Sequence, residues 1–180
     1  MTIFTIGHST RALDRFVGAL TAAGVDAVAD IRRFPQSRRY PHFNGDSLAP
    51  ALADAGIAYR HFPALGGRRG KRGGGTPSPH TLWREEGFRN FADYAETPEF
   101  RAAFDELAAM ARRGTPAVMC AEAVWWRCHR RIVADYLLVA GFPVEHIFDE
   151  KKREPAKLTP GAAPRADGTI RYEGPQPRLL

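Results

Sequence analysis

The chain has only two cysteines in 180 residues, Cys120 and Cys128. A disulfide-stapled scaffold needs more, so both are expected as free thiols in a reducing compartment. No apolar run approaches the roughly 18–20 residues that a membrane-spanning helix needs, so no membrane partner is expected. The start, Met1-Thr2-Ile3-Phe4, has neither a basic nor a long apolar segment. No signal peptide is therefore expected, and the cytoplasm is the expected location. Lysine is scarce, because arginine supplies 22 of the 26 cations. No internal repeat is evident, and 180 residues leave no room for two full-sized domains.

What is present is a chain with 44% hydrophobic residues, enough for one core, and a net charge of +6. Arginine suits bidentate recognition of phosphate or carboxylate. A basic balance favours anionic partners, a phosphate-bearing small molecule or nucleic acid among them. The same balance also serves solubility, so charge alone does not decide between the two.

Apolar runs alternate with helical patterns along the chain. Ile3-Phe4-Thr5-Ile6 reads as a first strand, and Gly7-His8-Ser9-Thr10 as a turn with an N-cap in Ser9 or Thr10. Leu13, Phe16, Val17 and Leu20 follow at helical spacing. Residues 25–31 read as a buried second strand, and 36–44 as a long loop. Asp46 or Ser47 caps a second helix, in which Pro50 is tolerable only in the first turn. Residues 57–62 alternate as a third strand. Thr97-Pro98-Glu99 is a helix start with an N-cap, an N1 proline and a first-turn acid. Residues 116–120 form a fourth strand, Ile132, Val133, Tyr136 and Leu137 an amphipathic stripe, and 144–148 a fifth strand.

This alternation argues an α/β fold: a single three-layer Rossmann-like domain over 1–148, with helices on both faces of a mainly parallel five-stranded sheet. The expected strand order is 3-2-1-4-5. Residues 66–79 form a basic, glycine- and arginine-rich loop with little to bury. Residues 149–180 are rich in proline and read as an irregular tail, with 169–172 its one strand candidate.

In such a sheet ligands bind at the C-terminal ends of the strands, where the connections diverge. Four segments would deliver residues there. The first strand brings His8, Ser9 and Thr10, and the second brings Asp30, Arg32 and Arg33. The fourth brings Cys120 and Glu122, and the last helix start brings Cys128, His129 and Arg130. His8, Ser9, Thr10, Arg32, Arg33, His129 and Arg130 are the candidate anion and ligand binders. Glu122, Cys128 and Asp30 are the candidate catalytic residues.

Each candidate has a plainer reading beside it. Cys128 at a helix start is a nucleophile candidate, since the helix dipole and nearby arginines favour a thiolate, but buried cysteines are often merely structural. Glu122 could act as base or nucleophile, as the acid of an N-glycosidase stabilises an oxocarbenium ion, or simply pair with Arg127 or Arg130. Asp30 would support it from two strands away. A tyrosine-phosphatase loop is excluded, because the position six beyond Cys120 is Trp126 and six beyond Cys128 is Ala134. No cofactor is expected. Cys120, Cys128 and His129, with His8 across the crevice, offer a zinc-type set as a minority reading. Against it stand the Cys-x7-Cys-His spacing and the rarity of neighbouring Cys and His serving one metal. Tyr40, Phe43, Trp125 and Trp126 are loop aromatics that could stack on a base or pack on the core.

Together these motifs resemble one family. Thr5-Ile6-Gly7-His8-Ser9-Thr10, Asp30-Ile31-Arg32-Arg33-Phe34-Pro35 with Ser37 and Arg38, Phe43-Asn44, Leu65-Gly66-Gly67, Cys120-Ala121-Glu122 and Cys128-His129-Arg130 resemble the domain of unknown function 488 family of bacterial and archaeal proteins. The resemblance runs from the first strand to His146. It implies a single α/β domain with these motif residues as its site, and it implies no reaction. Val124-Trp125-Trp126 departs from a usually more polar linker, and the insertion near Gly70 is peculiar to this chain.

The leading expectation is an enzyme acting on a phosphorylated, nucleotide-like or nucleic-acid ligand through an arginine-lined pocket, by N-glycosidase-like or thiol-based chemistry. The alternatives are a non-catalytic module that binds a nucleotide or DNA and, more weakly, a Cys/His metal protein.

Overall fold

A computed structural model describes residues 1–71 and 77–174. The central part of the basic loop, 72–76, and the end of the tail, 175–180, lie outside the described residues. The most apolar strands form the middle of the sheet. In β1 (Ile3–Gly7), β2 (Ala27–Asp30) and β4 (Pro116–Cys120) every residue is buried, as strands covered on both faces require. β3 (Ala58–His61) has no buried residue and forms one edge. β5 (Val144–Ile147) lies beyond β1. β6 (Arg153–Pro155) adds antiparallel to β5 at the other edge, a position that tolerates proline.

The sheet order is β3-β2-β4-β1-β5-β6. The expected order 3-2-1-4-5 is therefore corrected at its centre. The connection from β1 to β2 skips one position, and β4 fills it, pairing in parallel with β2 on one side and β1 on the other. Right-handed crossovers are compatible with both orders, so handedness alone did not distinguish them. The pairing of β4 with β2, from Ala27 opposite Pro116 to Asp30 opposite Met119, does.

The helices form the two outer layers. α1 (Leu13–Ala22) and α2 (Gly45–Asp54) pack on one face through Phe16, Leu20, Leu48 and Leu52. α3 (Glu86–Ala95), α4 (Pro98–Ala111) and α5 (Arg130–Val139) pack on the other through Phe91, Phe104, Leu107 and Leu137. α4 starts as expected, with Thr97 Oγ1 accepting the Phe100 N–H at 3.3 Å. α1 starts later than expected. Its N-cap is Ala12, without a side-chain hydrogen bond, while Ser9 adopts a left-handed φ of 50°. The N-cap of α2 is Asn44, and Pro50 sits in its second turn with its ring exposed.

The tail is more ordered than its proline content suggests. Besides β6 it contributes a hairpin of β7 (Ala162–Pro164) and β8 (Ile170–Tyr172). Ile170 and Tyr172 of β8 are fully buried against the α3–α5 face. The Tyr172 hydroxyl donates to Asp135 of α5 at 3.0 Å.

Candidate functional site

β4 ends between β1 and β2, so its last residue, Cys120, meets both neighbouring loops. The backbones are stitched there by three hydrogen bonds. His8 N–H donates to the Cys120 carbonyl at 3.0 Å, Ser9 N–H to the Ala121 carbonyl at 2.9 Å, and Ile31 N–H to the Met119 carbonyl at 2.9 Å. The loop after β4 then passes directly over Gly7. A Cβ on Gly7 would lie 1.9 Å from the Glu122 carbonyl oxygen, so only glycine fits at that strand end. Arg130, 2% exposed, holds the same loop from α5. Its two terminal nitrogens donate to the carbonyls of Glu122 and Ala123.

The connection after β1 leads to α1 on one face, and the connection after β4 leads to α5 on the other. Between them opens a cleft of 530 Å³. It is lined by His8, Ser9, Thr10, Arg32, Arg33, Glu122 and His129 from the expected set. Phe34, Gln36, Ser37, Tyr40, Gly67, Arg68, Cys120, Ala121 and Ala123 complete the lining.

Three expected site residues do not line it. Asp30 lies fully buried behind Arg32, which binds it through Nε and Nη2. Tyr59 adds a hydroxyl donor to the same carboxylate at 2.7 Å. Asp30 therefore positions Arg32. Cys128 lies under the floor, and Arg130 is engaged with the loop carbonyls.

The buried ion pair extends into the cleft. Arg32 Nη1 donates to His8 Nε2 at 3.2 Å, and His8 Nδ1 donates to the Ser9 carbonyl at 3.0 Å. His8 also stacks on Phe43, with ring centroids 4.2 Å apart. Burial, reinforced by the Arg32 charge, pushes His8 down to about 4, so the ring is neutral near pH 7. With Asp30 balancing Arg32, the remaining cations of the cleft are Arg33 and Arg68. Both are exposed, and neither is ion-paired among the described residues. Arg33 Nη1 donates to the Arg68 carbonyl at 2.8 Å, which ties the two loops together.

The floor carries the thiols. Cys120 Sγ lies 3.9 Å and Cys128 Sγ 3.7 Å from His129 Nδ1. His129 Nε2 donates to the Ile31 carbonyl at 3.2 Å. The two thiols act as one pair. A hydrogen bond from Cys128 pulls Cys120 well down, aided against burial by His129. Burial and the same bond push Cys128 well up. Cys120, the thiol that faces the cleft, is the one favoured as thiolate.

Arg68 was not named as a site residue from the sequence, and Cys120, expected at the crevice, was not among the catalytic candidates. Arg68 lies in a stretch with no apolar pattern to place it. It is brought to the site by the preceding Gly66, where a Cβ would lie 2.7 Å from the Arg33 backbone nitrogen. Cys120 was readable as a strand end but not as central, because that required the correct strand order. Of the loop aromatics, Tyr40 lines the cleft. Phe43 is buried, Trp125 stacks on His146 at 4.5 Å, and Trp126 is exposed away from the cleft.

The fold is that of a Rossmann-like α/β protein with a cleft at its topological switch point. The chain belongs to the family described as "Domain of unknown function DUF488", whose model matches residues 12–137. That span includes the Asp30–Pro35, Leu65–Gly67 and Cys120–Arg130 motifs and leaves His8–Thr10 outside. No curated protein and no solved structure matches the chain. Among the described residues, no helix is long and apolar enough to cross a membrane.

Proposed function

We propose that this protein is an enzyme that binds a phosphate-bearing, nucleotide-like ligand in the cleft at the ends of β1, β2 and β4. The observation that carries this reading is the meeting of unpaired cations and chemically reactive groups in one cleft. Arg33 and Arg68 supply charge for the anion, and Arg32 is held rigid by Asp30, which reduces the ordering cost of using it. Tyr40 offers a ring face to a base. Glu122 stands on the wall as an exposed carboxylate, and Cys120 with His129 forms the floor, so the reacting group comes from these three.

The test is turnover of a panel of phosphorylated nucleosides by the wild type and by Glu122→Gln. Glu122 is exposed, so the substitution should leave folding intact. The expected result is turnover that falls at least 100-fold in Glu122→Gln, within the roughly 10²–10⁴-fold typical of a positioned acid or base. Ligand binding without turnover by the wild type would instead favour a non-catalytic nucleotide-binding module, which the +6 charge also suits.

A further inference from the structure

The floor of the cleft contains an arrangement that anion binding does not require. Cys120 comes from the end of β4, Cys128 from the turn before α5, and His129 from the N-cap of α5. Their Sγ, Sγ and Nδ1 atoms all lie within 4.8 Å of one another. A tetrahedral zinc with metal–sulfur bonds of about 2.3 Å and metal–nitrogen bonds of about 2.05 Å sets sulfur and nitrogen about 3.6 Å apart. The observed sulfur–nitrogen separations are 3.9 and 3.7 Å.

We infer that Cys120, Cys128 and His129 form a three-ligand site for a zinc-type divalent cation, with its fourth position facing the cleft. Local backbone geometry removes the objection to neighbouring ligands. Cys128 is extended, with φ −124° and ψ 144°, whereas His129 is helical, with φ −58° and ψ −19°. The change of conformation between them turns both side chains toward Cys120. His129 is also oriented as a metal-binding imidazole usually is: its Nε2–H is committed to the Ile31 carbonyl, which leaves the Nδ1 lone pair for the centre. Phe91 packs edge-on against the ring at 4.9 Å. Gly67 also runs close to the ring, where a Cβ would lie 2.7 Å from Nδ1.

The exposure of the ligands sets the open side. Cys120 and His129 line the cleft, and Cys128 does not. Among the described residues no fourth histidine, cysteine or carboxylate joins the group. His8, the fourth ligand considered from sequence, has both ring nitrogens engaged by Arg32 and Ser9. Three protein ligands and one accessible position are the pattern of zinc sites that bind water or substrate, whereas structural sites close with four. Two thiolates and a neutral imidazole would also balance a divalent charge.

The test is a titration of the reduced, chelator-treated full chain with Co²⁺ and then Zn²⁺. The expected result is one equivalent of Co²⁺ with thiolate-to-metal charge-transfer absorption and tetrahedral ligand-field bands, both abolished when Zn²⁺ displaces it. Native mass spectrometry of the wild type should show one zinc bound with loss of two protons, a readout that needs no variant. Cys120→Ser, Cys128→Ser and His129→Ala should each lose the tetrahedral thiolate spectrum. Arg33→Glu/Arg68→Glu should bind metal as the wild type does, so failure of the anion reading would leave this result standing. A wild type that retains no metal, or a cobalt spectrum without thiolate absorption, would overturn the site.

Discussion

His8 and His146 are buried imidazoles whose hydrogen bonds suit the neutral ring. His8 accepts from Arg32, and His146 Nδ1 accepts from the Thr5 hydroxyl at 2.7 Å. Burial is the main cause that pushes each down to about 4, with Arg32 adding to it at His8 and Arg130 at His146. The unfolded chain takes up these protons below about 6.5, whereas the folded protein does so only near 4. Stability contributed by the neutral rings is therefore complete above pH 6.5 and lost as pH falls toward 4. The loss should be on the order of 3 kcal/mol for each ring by pH 4. Urea unfolding at pH 7, 5 and 4 checks this. His146→Gln should reduce the slope of stability against pH, and an unchanged slope would contradict the role given to His146. Asp30 was expected among the catalytic candidates, whereas the structure buries it behind Arg32 and away from the cleft lining. Its place at a strand end was legible, but its commitment to Arg32 and Tyr59 depends on side-chain geometry that sequence spacing does not encode.

At the scale of elements, strands and helices with strong periodicity were legible. β1, β2, β4 and α4 fall where their apolar runs and caps put them, because burial and capping are local signals. The N-cap of α1 was misread, since Ser9 instead turns through a left-handed conformation to bond the loop after β4. The tail was read as irregular because its prolines obscure alternation, yet Ile170 and Tyr172 seal the α5 face. That packing has a measurable consequence. Tyr172→Ala removes a fully buried ring and leaves Asp135 with one hydrogen-bond donor fewer. It should lower unfolding free energy by about 3–5 kcal/mol, read by chemical denaturation. Tyr172→Phe, which keeps the ring, should lose about 1–2 kcal/mol. Equal, negligible losses in both would mean that the hairpin adds nothing to the core.

At the scale of the whole molecule, the placement of β4 between β1 and β2 is what makes the site. It brings His8 and Arg32 to either side of Cys120, with the strand of Arg32 next to that of Cys120 where the expected order would have set it two strands away. The convergence of β1 and β4 was legible from topology rules, and it survived the correction of the order because the two strands are adjacent in both. Arg68 and Gly67 reach the cleft only through the path of a loop, which no periodic pattern fixes. The central claim is that the cleft holds a phosphate-bearing ligand through these arginines. The most direct measurement is calorimetric titration of a nucleoside phosphate panel into the wild type and into Arg33→Glu/Arg68→Glu, at low and moderate salt. At least one nucleoside phosphate should bind the wild type, more weakly as salt rises. Charge reversal should weaken it by about 100-fold or more, as expected for two charge-assisted contacts, without changing the unfolding midpoint. Equal affinity in both proteins, or no binding by the wild type to any member of the panel, would contradict the account.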